Sequence, residues 1–206
     1  MASRPAPGTR PMTVEEFLRF DARQRWRHEF VDGYPYALAG ASGGHNRIAG
    51  NIFATLWQRA GDGPCRVYQE AMKLRVRSDV YYPDVMVVCD PGGDDERMAH
   101  APCLLAEVLS PATERTDRSQ KLSVYRGIAS LQAYLIVSRE ARHVRRHWRD
   151  AAGEWQREEL FDVGEIPLPC PAPGGVLTLD AIYRGIAFPA PGRVRRVREG
   201  EPAGAG

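Results

Sequence analysis

With 206 residues, the chain is long enough for one well-buried core and too short for two full domains to be expected. Its 28 Lys+Arg against 26 Asp+Glu leave a formal charge of +2, so any affinity for nucleic acid has to come from a local patch rather than from the whole chain. No run approaches the roughly 18 apolar residues of a membrane span, and Met1-Ala2-Ser3-Arg4-Pro5-Ala6-Pro7-Gly8 lacks the apolar core of a signal peptide, so the expectation is a cytoplasmic protein.

The Pro-, Ala- and Gly-rich residues 1–12 read as a disordered leader, 13–188 as a single domain, and 189–206 as a disordered basic tail. Order begins at Thr13-Val14-Glu15-Glu16, a capping box that opens a short helix through about Ala22. Arg27 to Val31 and Tyr34 to Ala39 flank Asp32-Gly33, the signature of a two-residue hairpin turn. After Gly40-Ala41-Ser42-Gly43-Gly44, the rows Ile48, Ile52, Leu56 and Ala49, Phe53, Trp57 predict a core helix over about His45 to Ala60. The glycines lack the Gly-Lys-Ser/Thr ending of a nucleotide-binding loop, which leaves them as a turn.

Strand-like runs follow at Cys65 to Tyr68, Met72 to Val76, Val85 to Cys89 and Cys103 to Leu109. A polar helix is predicted over about Asp117 to Ile128, then a buried strand at Ala133 to Val137 and two more near His143 to Trp148 and Glu154 to Leu160. The stretch Gly164 to Gly175 reads as an irregular crossing before a last short helix near Leu179 to Tyr183. This order suggests an α/β (α+β) fold, a mixed sheet flanked by helices, with the Glu107 strand, Lys121 helix and Leu135 strand as a candidate βαβ crossover.

Two apolar runs each carry one acidic residue where an apolar one would cost less: Asp84 before Val85-Met86-Val87-Val88, and Glu107 within Leu104-Leu105-Ala106-Glu107-Val108-Leu109. A buried carboxylate needs a cation, a metal, or an exposed strand end. Mg²⁺ takes hard oxygens, with one or two protein carboxylates plus water and substrate phosphate, and Asp84 and Glu107 on neighbouring strands would supply that set, with the Val108 carbonyl as a further oxygen. The chain has only two lysines, Lys73 and Lys121, among its 28 basic residues. Lysine is a compact point charge and arginine a planar fork, so in an arginine-biased chain Lys121 stands out as the cation beside a metal. Asp117, Lys121 and Tyr125 share one helix face at i, i+4, i+8.

A Pro-Asp on one strand, an acid about twenty positions on and a nearby lysine resemble the PD-(D/E)XK nuclease superfamily. More narrowly, His28-Glu29-Phe30-Val31-Asp32-Gly33, Gly40-Ala41-Ser42 with His45, Pro83-Asp84, Glu107-Val108-Leu109-Ser110-Pro111, and Asp117, Lys121 and Tyr125 resemble its bacterial restriction-endonuclease family, over about Thr13 to Phe188. The resemblance implies a restriction-endonuclease-like sheet, Mg²⁺ (with Mn²⁺ as substitute), DNA as partner and a homodimer. It also implies Asp84 and Glu107 as metal-binding catalytic residues, Lys121 as the catalytic cation, and Glu29 and His45 as further site residues. Two departures stand out. The superfamily's usual lysine, two residues after the second acid, is Leu109 here, which leaves that role to Lys121 on the following helix. Tyr34-Pro35 replaces an acid that often follows the Asp-Gly turn.

Other features have plainer readings. Lys73 reads as an exposed strand lysine. His143 and His147 alternate with Val144, Arg146 and Trp148 as in a strand, where four residues span roughly 13 Å, too far to share a metal. The four cysteines, Cys65, Cys89, Cys103 and Cys170, lie at spacings that match no zinc or disulfide framework, so reduced thiols are expected. Arg142, Arg145, Arg146 and Arg149, together with the tail arginines Arg193, Arg195, Arg196 and Arg198, are candidate DNA-facing patches. The rival to a nuclease is a nucleic-acid-binding domain that keeps the fold without the chemistry; a third class is an interaction domain whose acids merely pair with arginines.

Overall fold

The computed structural model describes residues 10–38, 40–90, 97–109, 121–171 and 175–188. Helix α1 (Val14–Asp21) starts at the expected capping box: the Glu16 amide donates to Thr13 Oγ1 at 3.2 Å, and the Glu16 carboxylate accepts from the Thr13 amide at 3.0 Å. Its apolar side stacks Phe17 on Phe30 of β1 (His28–Val31), with ring centroids 4.7 Å apart. Strand β1 pairs antiparallel with β2 (Tyr34–Ala37) through the Asp32-Gly33 turn, in which both residues take positive φ, 51° and 86°. At Gly33 an added Cβ would lie 2.8 Å from Pro11 Cβ as well as facing the strained φ. Gly33→Ala is therefore expected to cost more than about 1 kcal/mol in urea unfolding with an unchanged m-value; a midpoint equal to wild type would contradict this.

Helix α2 (Gly43–Ala60) begins two residues earlier than its periodicity suggests, because Ser42 caps it and its Oγ accepts from the His45 amide at 3.3 Å. The remaining strands are β3 (Arg66–Gln69), β4 (Lys73–Val76), β5 (Asp79–Tyr81), β6 (Val85–Val88), β7 (Met98–Ala99), β8 (Pro102–Leu109), β9 (Ala133–Ser138), β10 (His143–Arg149), β11 (Trp155–Phe161), β12 (Glu165–Pro167) and β13 (Val176–Thr178). Residues 121–126 form helix α3, and Leu179–Ile182 forms α4. Among the described residues the main sheet has six strands in the order β11-β10-β9-β8-β6-β3, and a second sheet has five in the order β2-β1-β5-β4-β7. Strands β8 and β9 run parallel, as the crossover through Lys121 requires, whereas the other pairs in the main sheet are antiparallel.

The alternation of side chains along the central strands fixes the layers. Val85, Val87, Leu104, Ala106, Val108, Leu135 and Val137 pack with Ile48, Ile52 and Leu56 of α2. Met86, Leu105, Tyr134 and Ile136 point the other way, against Leu74 and Tyr81 of the second sheet and Tyr125 of α3. Glu107 has the parity of Leu105 and so belongs to this second face.

Three expectations change. The crossing after Gly164 contains β12, paired with β13. Lys73 is half-buried rather than exposed: its amine sits 3.4 Å from Asp21 and 5.1 Å from the centre of the Tyr82 ring. The cysteines are not free thiols but paired as Cys65–Cys89 and Cys103–Cys170. Sheet register explains the first pair, since Arg66 sits opposite Val88 and the next step outward brings Cys65 to Cys89. Spacing along the sequence carries no trace of this.

Candidate active site

Val85 faces Ala106 across the β6–β8 ladder, so one step further along each strand brings Asp84 to Glu107. The Asp84 carboxylate is anchored to its neighbour: its Oδ2 accepts from the Val108 amide at 2.7 Å. The same oxygen lies 3.1 Å from His45 Nε2, which the capped start of α2 directs over the strand end. That contact raises the His45 pKa above its ordinary value against the opposing effect of burial, favouring the imidazolium.

Glu107 is 4% exposed. Its Oε1 receives the Lys121 amine at 3.1 Å and the Tyr125 hydroxyl at 3.1 Å. Lys121 and Tyr125 stand one turn apart on α3, which is how a helix one crossover away places both over one strand residue. Lys121 also reaches Glu29 Oε1 of β1 at 2.7 Å. Its amine thus ties the main sheet to the second sheet. Burial pushes the Glu107 carboxyl up to about 8, against the pull of Lys121. Burial also disfavours the Lys121 ammonium, but Glu107 and Glu29 outweigh it and hold its pKa well above the ordinary lysine value. Glu29 lies closer to the amine than Glu107 does, at 2.7 against 3.1 Å. Burial lifts the Tyr125 hydroxyl as well, so it stays a donor.

These shifts predict a pH effect. A carboxyl whose folded pKa exceeds its unfolded value binds its proton more tightly in the native state, so its stabilising contribution is present at low pH and lost as pH rises through the folded value. In metal-free protein, Glu107 should make the Tm fall between about pH 4.5 and about 8. Glu107→Gln, neutral throughout, should flatten that part of a calorimetric profile, and an identical slope in the variant would contradict the assignment.

Behind the site lies a brace that accounts for the other lysine. Asp21, at the end of α1, accepts from the Tyr82 hydroxyl at 2.8 Å and the His28 amide at 3.1 Å, and pairs with Lys73 at 3.4 Å. His28 and Tyr82 flank Glu29 and Pro83-Asp84, so one buried carboxylate fixes both segments that carry site acids. Sequence reasoning missed this brace, and its one signal was the scarcity of lysine.

The carboxylates open into a cavity of about 520 Å³ whose wall includes Arg25, Trp26, Arg27, Glu70 and Arg139. Trp26 is 61% exposed and lies under the Arg25 guanidinium at 5.3 Å. The other basic cluster is not a free patch. Arg142 pairs with Asp180, Arg145 with Glu159 and Arg146 with Glu158, while Arg149 donates to the carbonyls of Leu131, Gly153 and Arg126. His143 and His147 lie on β10, and they go to different partners, Glu159 and Arg126. Asp117, Ser110-Pro111 and the arginines of the tail lie outside the described residues. No helix among the described residues is long and apolar enough to cross a membrane.

The oxygen-only donor set of Asp84 and Glu107 suits a hard divalent ion such as Mg²⁺. Glu107 is a buried carboxylate whose charge Lys121 only partly offsets.

Comparison with known proteins bears on the family and the fold. The sequence pattern of the Uma2 family, described as "Putative restriction endonuclease", matches residues 14–181. The uncharacterized protein slr1290 of Synechocystis sp. (strain ATCC 27184 / PCC 6803 / Kazusa) is 32% identical over 185 residues, covering 86% of this chain and 94% of its own length. A second protein of that organism, the uncharacterized protein sll1609, is 32% identical over 158 residues, covering 74% and 89% respectively. In fold, the chain is similar to the crystal structure of "a putative nuclease belonging to DUF820" from Anabaena variabilis ATCC 29413. The TM-score is 0.66, with 18% identity and coverage of 84% of this chain and 98% of that one.

Proposed function

The chain belongs to the Uma2 family, and from that premise we propose that it is a metal-dependent endonuclease that hydrolyses phosphodiester bonds of DNA in the cytoplasm. The observation that carries this reading is the convergence of Asp84, Glu107 and Lys121, from two adjacent strands and a crossover helix, at the floor of one cavity.

Asp84 and Glu107 would hold the divalent ion, Mg²⁺ or Mn²⁺, with the Val108 carbonyl as an additional oxygen. When bound, such an ion polarises the scissile phosphate and makes a water nucleophilic near neutral pH. Lys121 offsets charge growing on the phosphate oxygens and orients the attacking water, held in place by Glu29. His45, whose Nε2 lies on Asp84 Oδ2, restrains that carboxylate. Arg25 on the cavity wall grips the backbone, joined by Arg27 and Arg139 when they exchange their present partners, the Glu70 carbonyl and Glu140, for phosphate, and Trp26 offers a flat face to a base or sugar. A homodimer would set two such centres on the two strands of a duplex.

Supercoiled plasmid incubated with the protein and Mg²⁺ or Mn²⁺ should be nicked or linearised, with no cleavage in chelator. Binding measured by anisotropy in Ca²⁺ should weaken steeply with salt. Salt-sensitive binding without cleavage under any divalent ion would instead identify an inactive nucleic-acid-binding domain, and neither binding nor cleavage would contradict both.

A further inference from the structure

The four sulfurs lie at the end of the main sheet away from the carboxylates. Asp84 and Cys89 bracket β6, and Cys103 and Glu107 lie toward opposite ends of β8. At roughly 3.3 Å per residue the two clusters are about 17 Å apart along β6. Cys65 comes from the start of β3, and Cys170 from the loop after β12.

Two disulfides acting as separate staples have no reason to touch. Here the sulfurs of Cys89, Cys103 and Cys170 all lie within 4.8 Å of one another, although Cys89 belongs to one disulfide and the other two to the second. The fourth sulfur, that of Cys65, is bonded to Cys89 and also approaches the Pro171 carbonyl at 3.7 Å, beside Cys170. Three sulfurs are therefore clustered, and the fourth is attached to that cluster through its bond to Cys89. A tetrahedral site with Zn–S bonds of about 2.3 Å has S···S edges of about 3.8 Å, so small side-chain movements separate the present pairs into that arrangement. Cys65 and Cys170 are 5% and 3% exposed, which shields an ion from water, whereas Cys89 and Cys103 are half-buried and reachable by a reductant. Three of the four sulfurs sit on or next to hydrogen-bonded strands of the main sheet, so the ligands are largely pre-organised.

We propose that in the reduced protein these four cysteines bind one zinc ion as a tetrathiolate that fastens the Cys170 loop to the end of the main sheet. Each disulfide is opened by a phosphine reductant, which is oxidised to its oxide by taking the oxygen of one water, whose two protons go to the two thiols. Zinc then replaces the four thiol protons. Soft thiolates select zinc and the carboxylate oxygens select Mg²⁺, so the two sites do not compete for their ions. The proposal is independent of the nuclease reading.

The test uses the full chain, purified without chelator from zinc-supplemented medium in the presence of phosphine. Elemental analysis should find one zinc per chain. Replacement by Co²⁺ should give an intense sulfur-to-cobalt charge-transfer band with the pattern of a tetrahedral site. Cys170→Ser should lose the metal and the band while keeping its far-UV circular dichroism, and Asp84→Ala should keep both. Should Cys170→Ser fail to fold, chelator treatment of wild type should remove the zinc and lower the Tm. Four free thiols with no zinc in reduced wild type, iron in its place, or zinc content unchanged by Cys170→Ser in a folded protein would overturn the proposal.

Discussion

Lys121→Met should lower DNA cleavage by roughly 100-fold or more, the usual effect of removing one preorganised charge from a hydrolytic centre. Methionine keeps the length of the stem and loses only the ammonium. The amine touches both Glu107 and Glu29, so the same change leaves two carboxylates in a protected site without their cation. Removing one partner of a buried ion pair costs about 3–5 kcal/mol. Here Glu107 can escape part of that cost by taking up a proton, and it does so more readily at low pH. The variant's loss of stability should therefore be larger at pH 8 than at pH 5. Lys121→Arg should not restore cleavage, because a planar fork cannot occupy the position of a point charge between two oxygens. Denaturation and cleavage measured across that pH range check both parts. Cleavage within a few-fold of wild type would remove Lys121 from the mechanism.

Asp84 separates structure from chemistry more cleanly. Its Oδ2 is the acceptor of the Val108 amide at 2.7 Å, a bond that ties the entry of β6 to β8. Asp84→Ala leaves that amide without its acceptor, at a cost of about 1–3 kcal/mol. Asp84→Asn retains a carbonyl oxygen there and should be nearly as stable as wild type. Both should lose detectable cleavage, since neither offers an anionic oxygen to a divalent ion. An active Asp84→Asn would show that the side chain serves only the strand.

The parts of the fold written in local chemistry were legible in the chain: the Thr13 capping box, the Asp32-Gly33 turn and the apolar face of α2. Asp84 and Glu107 were legible as well, because a carboxylate in a strand-like apolar run conflicts with its neighbours. What the sequence hid depends on which strands meet. Lys73 looked like a surface residue until the end of α1 brought Asp21 against it. Arg142, Arg145, Arg146 and Arg149 read as an open basic patch, yet β11, α4 and backbone carbonyls supply partners that spacing along the chain does not reveal. The cysteines followed the same rule, with sheet register and the loop after β12 deciding which sulfurs approach one another. Tyr125 was visible on the face of Lys121, but its bond to Glu107 required the crossover to close over β8. Short strands such as β5 and β7 carry too few residues for periodicity to register.

The most direct measurement is a calorimetric titration of Mn²⁺ into the wild-type chain and into Asp84→Ala. One ion should bind per chain at the carboxylate site of the wild type and none there in the variant. Equal heats and stoichiometry in the two proteins, or no binding to either, would contradict it.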